Sequence, residues 1–289
     1  MSHKRYLVLV RAGCSHYFGN LLAVPAADRS WDLGVSQYEA IALPDDAMIE
    51  WHHQYSGGKW DGIWHFFNKY PEALEAYDFF WLVDDDIETD PVTVNKIFEY
   101  VRAHNFELAQ PALTADSYYS HQITLRCPGF RHRHTNLVEI MAPILARNTL
   151  LRILPIIQKT RSGFGLDWLW HQFVTNPRKQ IAIIDDLPVR HARPLRTSLQ
   201  PAMELHGITP EKERLCLAAA YGLNRLYGIT YEGVTQTGRT LKGRIRLTLA
   251  LAINHLRQRK DIDKRPWGFK QTILLIWRQL FAPLGFTKN

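Results

Sequence analysis

Residues 79–86 read Phe-Phe-Trp-Leu-Val-Asp-Asp-Asp, an apolar run that ends abruptly in a triplet of carboxylates. A short continuous apolar run without helical period reads as a strand buried on both faces, which a helix-covered parallel sheet requires. Carboxylates crowded at its carboxyl end are electrostatically costly, because like charges a few ångströms apart raise one another's pKa. A divalent cation removes that cost, and hard oxygen ligands suit Mg²⁺ or Mn²⁺. In open α/β sheets the same end of the strands is where ligands bind. Alternation puts Asp84 and Asp86 on one side as candidate metal ligands and leaves Asp85 for another partner, such as a ribose hydroxyl. The plainer alternative is a solvated acidic turn ahead of the helix that Asp90-Pro91 begins.

The rest of the chain keeps a strand–helix rhythm. Tyr6 to Val10 reads as a buried first strand, with Arg11 to Ser15 as the loop after it. A second strand is expected near Val35, and Ile63 to Tyr77 reads as helical, with Pro71 opening its second part. Asp90 as cap and Pro91 in the first turn start a helix to about His104. Leu108 to Pro111 and Leu137 to Ala146 are strand candidates, Thr149 to Gln158 and Leu166 to Val174 helices. Gln180 to Ile184 is a strand ending in Asp185-Asp186. Strands alternating with helices predict an α/β fold with a mainly parallel sheet.

After Pro194 the character changes. Thr209-Pro210-Glu211 starts a helix through about Leu226, and a Gly/Thr-rich connection runs from Gly228 to Gly243. Apolar-basic helices follow near Ile245 to His255 and Phe269 to Phe281. The expected organisation is a catalytic domain over residues 1–200 and a helical, basic extension over 201–289.

Charge follows the same division. Residues 238–289 carry twelve Lys and Arg against Asp261 and Asp263, a net +10, whereas the whole chain carries +7. Such a tail bears on partners rather than on fold, and it admits peripheral contact with an anionic membrane. Nucleic acid is not expected as a partner. The opening apolar run is too short for a signal peptide, since Arg11 follows at once. Leu247 to Leu256 falls far short of the roughly 20 residues that span a bilayer. A cytoplasmic protein, at most peripheral at the inner membrane face, is expected. Cys14, Cys127 and Cys216 form no close-spaced pair, which argues against a zinc motif or a disulfide framework.

Other phosphate machinery is missing. Ser56-Gly-Gly-Lys59 lacks the glycine that a phosphate-binding P-loop needs, and Gly163-Phe-Gly165 lacks the third glycine of a dinucleotide fingerprint. A dehalogenase-type phosphatase needs Asp-x-Asp-x-Thr on an early strand, and position 88 here is Glu. Within Gly163 to Trp170, Asp167 falls in a first helical turn, where it is either a general base for an acceptor hydroxyl or a plain helix cap. His191 follows the Asp185-Asp186 strand and is either a late metal ligand or structural. Arg131-His-Arg-His134 and Trp51-His-His53 are expected on solvated loops.

In several of these pieces the chain resembles the uncharacterised family catalogued as domain of unknown function seven hundred and seven, regarded as glycosyltransferases of GT-A-like fold. The segments that carry the resemblance are Leu7 to Gly13, Tyr77 to Ile87, Val138 to Pro143, Gly165-Leu-Asp167 and Val189-Arg-His191, in that order. The resemblance implies an Asp-x-Asp metal motif at Asp84 and Asp86, with His191 joining Mn²⁺ or Mg²⁺. It implies nucleotide-sugar contacts from Arg11, Ala12, Gly13, Ser15, Asp84 and Asp85. Asp167 would be the base, and Glu139, Gly165 and Trp168 would line the acceptor or sugar side. The implied reaction moves a sugar from a nucleotide-sugar donor to a polysaccharide or lipid-linked saccharide. A metal-dependent nucleotidyltransferase, or a non-catalytic saccharide- or membrane-binding module, would show the same strand-end carboxylates.

Overall fold

Alternation within the first strand decides the layering. In the computed structural model, which describes residues 5–43, 48–194, 209–223, 226–262 and 268–282, β1 (Tyr6–Ala12) is buried along its whole length. Tyr6, Val8, Val10 and Ala12 enter one apolar cluster, and Leu7 and Leu9 enter another on the opposite face. A sheet that is apolar on both faces needs helices on both. The first face is covered by α3 (Pro91–Ala103) through Val94, Ile97, Phe98 and Val101. The second is covered by α1 (Lys59–Lys69), α2 (Pro71–Ala76) and α4 (Arg147–Ile157), through residues such as Ile63, Phe66, Ala73, Leu150 and Ile153. Asp90 caps α3 as its spacing predicts, accepting the Thr93 N–H at 2.9 Å.

The α/β class and the helical C-terminal part are as expected, but the sheet is mixed. β3 (Trp51–Gln54), β2 (Trp31–Gln37), β1 and β4 (Phe79–Asp84) run parallel. Antiparallel β8 (Ile144–Ala146) then separates β4 from the parallel pair β6 (Leu108–Leu113) and β9 (Ile181–His191). β7 (Phe130–Thr135) runs antiparallel beside β9. The strand expected over residues 137–146 shrinks to its last three residues. Pro143, with no N–H to give, interrupts the ladder, although its carbonyl still accepts Leu82 N–H at 3.0 Å.

Both histidine-rich stretches lie in strands, not in solvated loops. Arg133 is wholly buried on β7, and its guanidinium grips the Asp185 carboxylate on β9 with Nε–Oδ2 at 2.8 Å and an Nη2–Oδ1 bond at 2.9 Å. The same guanidinium donates to the carbonyls of Ile123 and Leu125. The neighbouring imidazoles are buried as neutral rings. Burial pushes His132 down to about 3, and on β3 it pushes His53 down to about 4, with His65 reinforcing the shift. A neutral imidazole packs as an aromatic ring, and His132 lies edge-on to Phe106 at 5.2 Å.

The Gly/Thr-rich connection also folds into the sheet. β10 (Thr230–Thr235) pairs with β7 and carries β11 (Thr240–Lys242) at the edge. A division near residue 200 therefore cuts across one continuous sheet. α6 (Pro177–Gln180) is a single turn ahead of β9, and α7 (Pro210–Ala220), the helix begun by Thr209-Pro210, ends well short of Leu226.

Candidate active site

β4 is central in the sheet, and its last residue is Asp84. The chain then turns through Asp85-Asp86 into β5 (Ile87–Glu88), which pairs with the far end of β9 so that Ile87 lies opposite His191. This pairing brings a histidine from the end of β9 to the aspartate triplet. Ligand atoms of Asp84, Asp86 and His191 lie within 4.8 Å of one another. The His191 Nδ1–H donates to the Tyr118 carbonyl at 2.7 Å. That bond fixes the ring and turns Nε2 toward Asp86 Oδ2, 3.1 Å away.

Protein cations meet the carboxylates as well. Lys59, at the start of α1, places Nζ 2.7 Å from Asp84 Oδ1 and donates to the carbonyls of Ile140 and Met141. Arg193 bridges Asp85 and Asp86 and also donates to the Ser15 carbonyl at 2.8 Å. Burial opposes the charge on His191, yet the hydrogen bond and charge of Asp86 hold its pKa above the usual imidazole range. Burial pushes the Asp84 carboxyl up, with the Asp86 charge adding to it and Lys59 pulling the other way. Asp85 is pushed up to about 6 by burial, against the Gly13 N–H and Arg193.

The cluster fits a divalent cation. Asp86 Oδ1 is buried and has no hydrogen-bond partner, although its other oxygen serves both His191 and Arg193. A buried carboxylate oxygen left bare is costly unless something binds it. Two carboxylates with one imidazole suit Mn²⁺, and Mg²⁺ with more of its own water. Replacing Asp86 or Asp84 with Ala is expected to abolish Mn²⁺-dependent nucleotide binding in calorimetry, since each removes one of few charged ligands. Asp85→Asn is expected to weaken it less. Normal Mn²⁺-dependent affinity in a folded Asp86→Ala protein would overturn the metal assignment.

The structure treats the remaining sequence candidates unequally. Arg11 belongs to β1, not to the loop, and its five N–H donors are directed to the carbonyls of Ser36, Tyr55, Gly57 and Gly58 and to Ser36 Oγ. No donor remains for a nucleotide, so Arg11 shapes residues 55–58 instead. Ala12 is buried beside it. Gly13 gives its N–H to Asp85 Oδ2 at 2.8 Å, which ties the first loop to the triplet. Ser15 is exposed. Asp85, expected to meet ribose, is occupied by Gly13, Tyr38 and Arg193.

On the other side, Glu139 is buried and binds the N–H groups of Ser120 and His121 and the Thr124 hydroxyl. It holds that segment and does not point out toward a sugar. Trp168 lies under the Arg214 guanidinium, 4.2 Å from the ring centroid. Gly165 adopts φ +99°, and a Cβ there would come 3.2 Å from the Arg214 backbone, so its glycine serves the turn. Asp167 makes no capping bond in α5 (Leu166–Leu169); its Oδ2 lies 3.1 Å from His121 Nε2. Burial opposes charge on His121, but the Asp167 bond and the Glu139 charge raise its pKa.

Sequence reasoning missed Lys59, Arg193 and His121. Lys59 enters the sequence reading only as a fragment of a P-loop, and no motif or spacing marks His121. Arg193 lies two residues past the end of β9, where no periodicity marks it.

Fold and cluster together define an α/β protein with a carboxylate–imidazole centre at the end of its central strand. Over residues 56–137 the chain matches the sequence profile of the family described as protein of unknown function (DUF707), the family its motifs resemble. No curated protein matches it. Among solved structures it is similar to S. aureus TarS residues 1–349, at 12% identity over 96% of this chain and 90% of that one, with a TM-score of 0.43. The same protein in complex with UDP-GlcNAc matches at 11% identity, equal coverage and a TM-score of 0.43. A mycobacterial protein matches at 13% identity over 78% of this chain and 77% of that one, with a TM-score of 0.41.

Proposed function

We propose that the chain is a metal-dependent glycosyltransferase of GT-A type, moving a sugar from a nucleotide-sugar donor to a saccharide or lipid-linked acceptor. The observation that carries this reading is the convergence of Asp84, Asp86 and His191 at the end of the central strand, with one Asp86 oxygen left bare. Asp84, Asp86 and His191 would hold Mn²⁺ or Mg²⁺ there, and the cation would supply neutralisation of the charge on a departing nucleoside diphosphate.

The chain's own residues do the rest. Lys59 fixes Asp84, and the Tyr118 carbonyl fixes the tautomer of His191. Arg193 ties the Ser15 end of the first loop to Asp85 and Asp86, closing one wall of the donor side. Asp167 is the candidate base for the acceptor hydroxyl. His121 holds that carboxylate from one side and is itself held through its own N–H by Glu139. A proton accepted at Asp167 would thus enter a preformed carboxylate–imidazole pair.

A thermal-shift series of nucleoside diphosphates with and without Mn²⁺ tests the donor and metal halves together. A ligand at roughly a hundred times its Kd stabilises by about 2.7 kcal/mol, which is on the order of 5 °C for a domain of this size. No Mn²⁺-dependent shift with any of them would sink the proposal. Release of pyrophosphate, instead of nucleoside diphosphate, during turnover would reassign the chain to nucleotidyl transfer.

A further inference from the structure

Of the eleven large apolar side chains that the described residues leave exposed, seven belong to two helices of the basic tail. Ile245, Leu249, Ile253 and Leu256 lie on α8 (Arg244–Arg257), and Ile273, Trp277 and Phe281 on α10 (Gly268–Phe281), which follows the short α9 (Arg259–Ile262). Spacings of three and four residues place each set in one row along its helix. The rows face away from the protein body. The opposite side of α8 buries Leu247 and Leu251 against Cys127 and Phe130, and that of α10 buries Leu275 against Ile123 and Leu137.

Both helices sit side by side and antiparallel. Arg244 at the start of α8 donates to the carbonyls of Leu280 and Ala282 at the end of α10. At the other end, Gln122 Nε2 reaches both His255 on α8 and Thr272 on α10. Exposed basic residues lie on the same outward side: Arg246 and Arg257 flank the α8 row, and Lys270 continues the α10 row. Ile245 stands 70% exposed and Phe281 66%, a degree of exposure that a monomer in water does not favour for such side chains in a continuous array.

We infer that the α8–α10 face docks on an anionic lipid surface, with both helices lying in the interface plane. Each is 14 residues long, too short to cross a bilayer, and among the described residues no helix is long and apolar enough to do so. Apolar rows flanked by cations, with Trp277 among them, are the pattern of an interfacial helix. Charge selects the lipid over a second copy of this chain. Two tails of net +10 brought face to face repel, whereas acidic headgroups attract them. The geometry also links this face to the site, because Gln122, which touches both helices, directly follows His121, the partner of Asp167. Docking itself stands apart from the sugar-transfer reading. Only its use, presenting Asp167 to a lipid-linked acceptor, rests on that reading.

Flotation of the full chain, without donor or metal, with vesicles of phosphatidylcholine alone or mixed with phosphatidylglycerol tests the inference. Binding is expected only to the phosphatidylglycerol vesicles, and to fall as salt rises. Ile245→Ser/Trp277→Ser/Phe281→Ser changes exposed side chains only, so its melting curve should match the parent's. It is expected to lose on the order of tenfold or more in partitioning. Arg246→Glu/Arg257→Glu/Lys270→Glu is expected to lose roughly a hundredfold. No flotation of the parent with anionic vesicles at low salt would overturn the inference, as would equal flotation of the serine variant. A concentration-dependent dimer that forms without lipid and disappears in the serine variant would assign the face to a second copy. Failure of the nucleotide melting series with flotation intact would remove the transferase reading and leave the docking face standing.

Discussion

Asp167→Asn is expected to lower turnover by roughly two to four orders of magnitude while leaving Mn²⁺-dependent donor affinity unchanged. The expectation follows from geometry that sequence alone left open. Asp167 lies in the first turn of α5, where a helix cap was the competing reading. Its carboxylate makes no capping bond and instead meets His121 at 3.1 Å. The amide of an Asn variant keeps the shape and a hydrogen-bond partner for the imidazole, but it cannot accept a proton from a hydroxyl. Loss of structure and loss of chemistry are therefore separable. Steady-state rates, donor affinity by calorimetry and the melting curve, measured together, decide the matter. A stable and fully active Asn variant would end the catalytic assignment. Parallel loss of melting temperature and rate would mark the pair as structural.

Arg133→Met is expected to destabilise the fold by about 3–5 kcal/mol, which is on the order of 10 °C in melting temperature. Arg133 and Asp185 are both without solvent exposure, and the pair is bidentate. Truncation leaves the Asp185 carboxylate in a dry site and also frees the carbonyls of Ile123 and Leu125. The damage reaches the site, because residues 120–125 carry His121 and lean on Arg133. Arg133→Met/Asp185→Leu removes both charges and is expected to recover part of the loss, since a buried pair is more costly to break than to replace. Denaturant titration of both variants measures the difference. A loss below about 1 kcal/mol for the single variant would show that water or another group solvates Asp185.

The buried strand and the acidic triplet were legible because both signals are local. An apolar run specifies burial at its own position, and alternation specifies which carboxylates share a side. The α3 start at Asp90-Pro91 was legible for the same reason, since a cap bond spans only three residues. The tail helices were legible from their apolar spacing, and their rows of exposed residues are the same spacing seen from the solvent side.

Tertiary structure alone decided the polar core. Arg131 to His134 looks solvated until Asp185, 52 positions further on, is seen to neutralise Arg133. Nothing near position 133 encodes that partner. The Gly/Thr-rich connection joined the sheet because β7 offered it an edge. Arg11 and Glu139, expected on ligand duty, turned out to be bonded to protein groups far along the chain. Lys59 and Arg193 became site residues only when α1 and the end of β9 were folded against β4. Side-chain type and period state what a segment must bury, and so the sequence determined the buried strands β1, β2, β4, β6 and β9, most helices and the placing of Asp84 and Asp86 on one side. Which charge meets which depends on chain segments closing over tens of residues, and only the folded sheet settled the cations around the triplet and the imidazole beside Asp167.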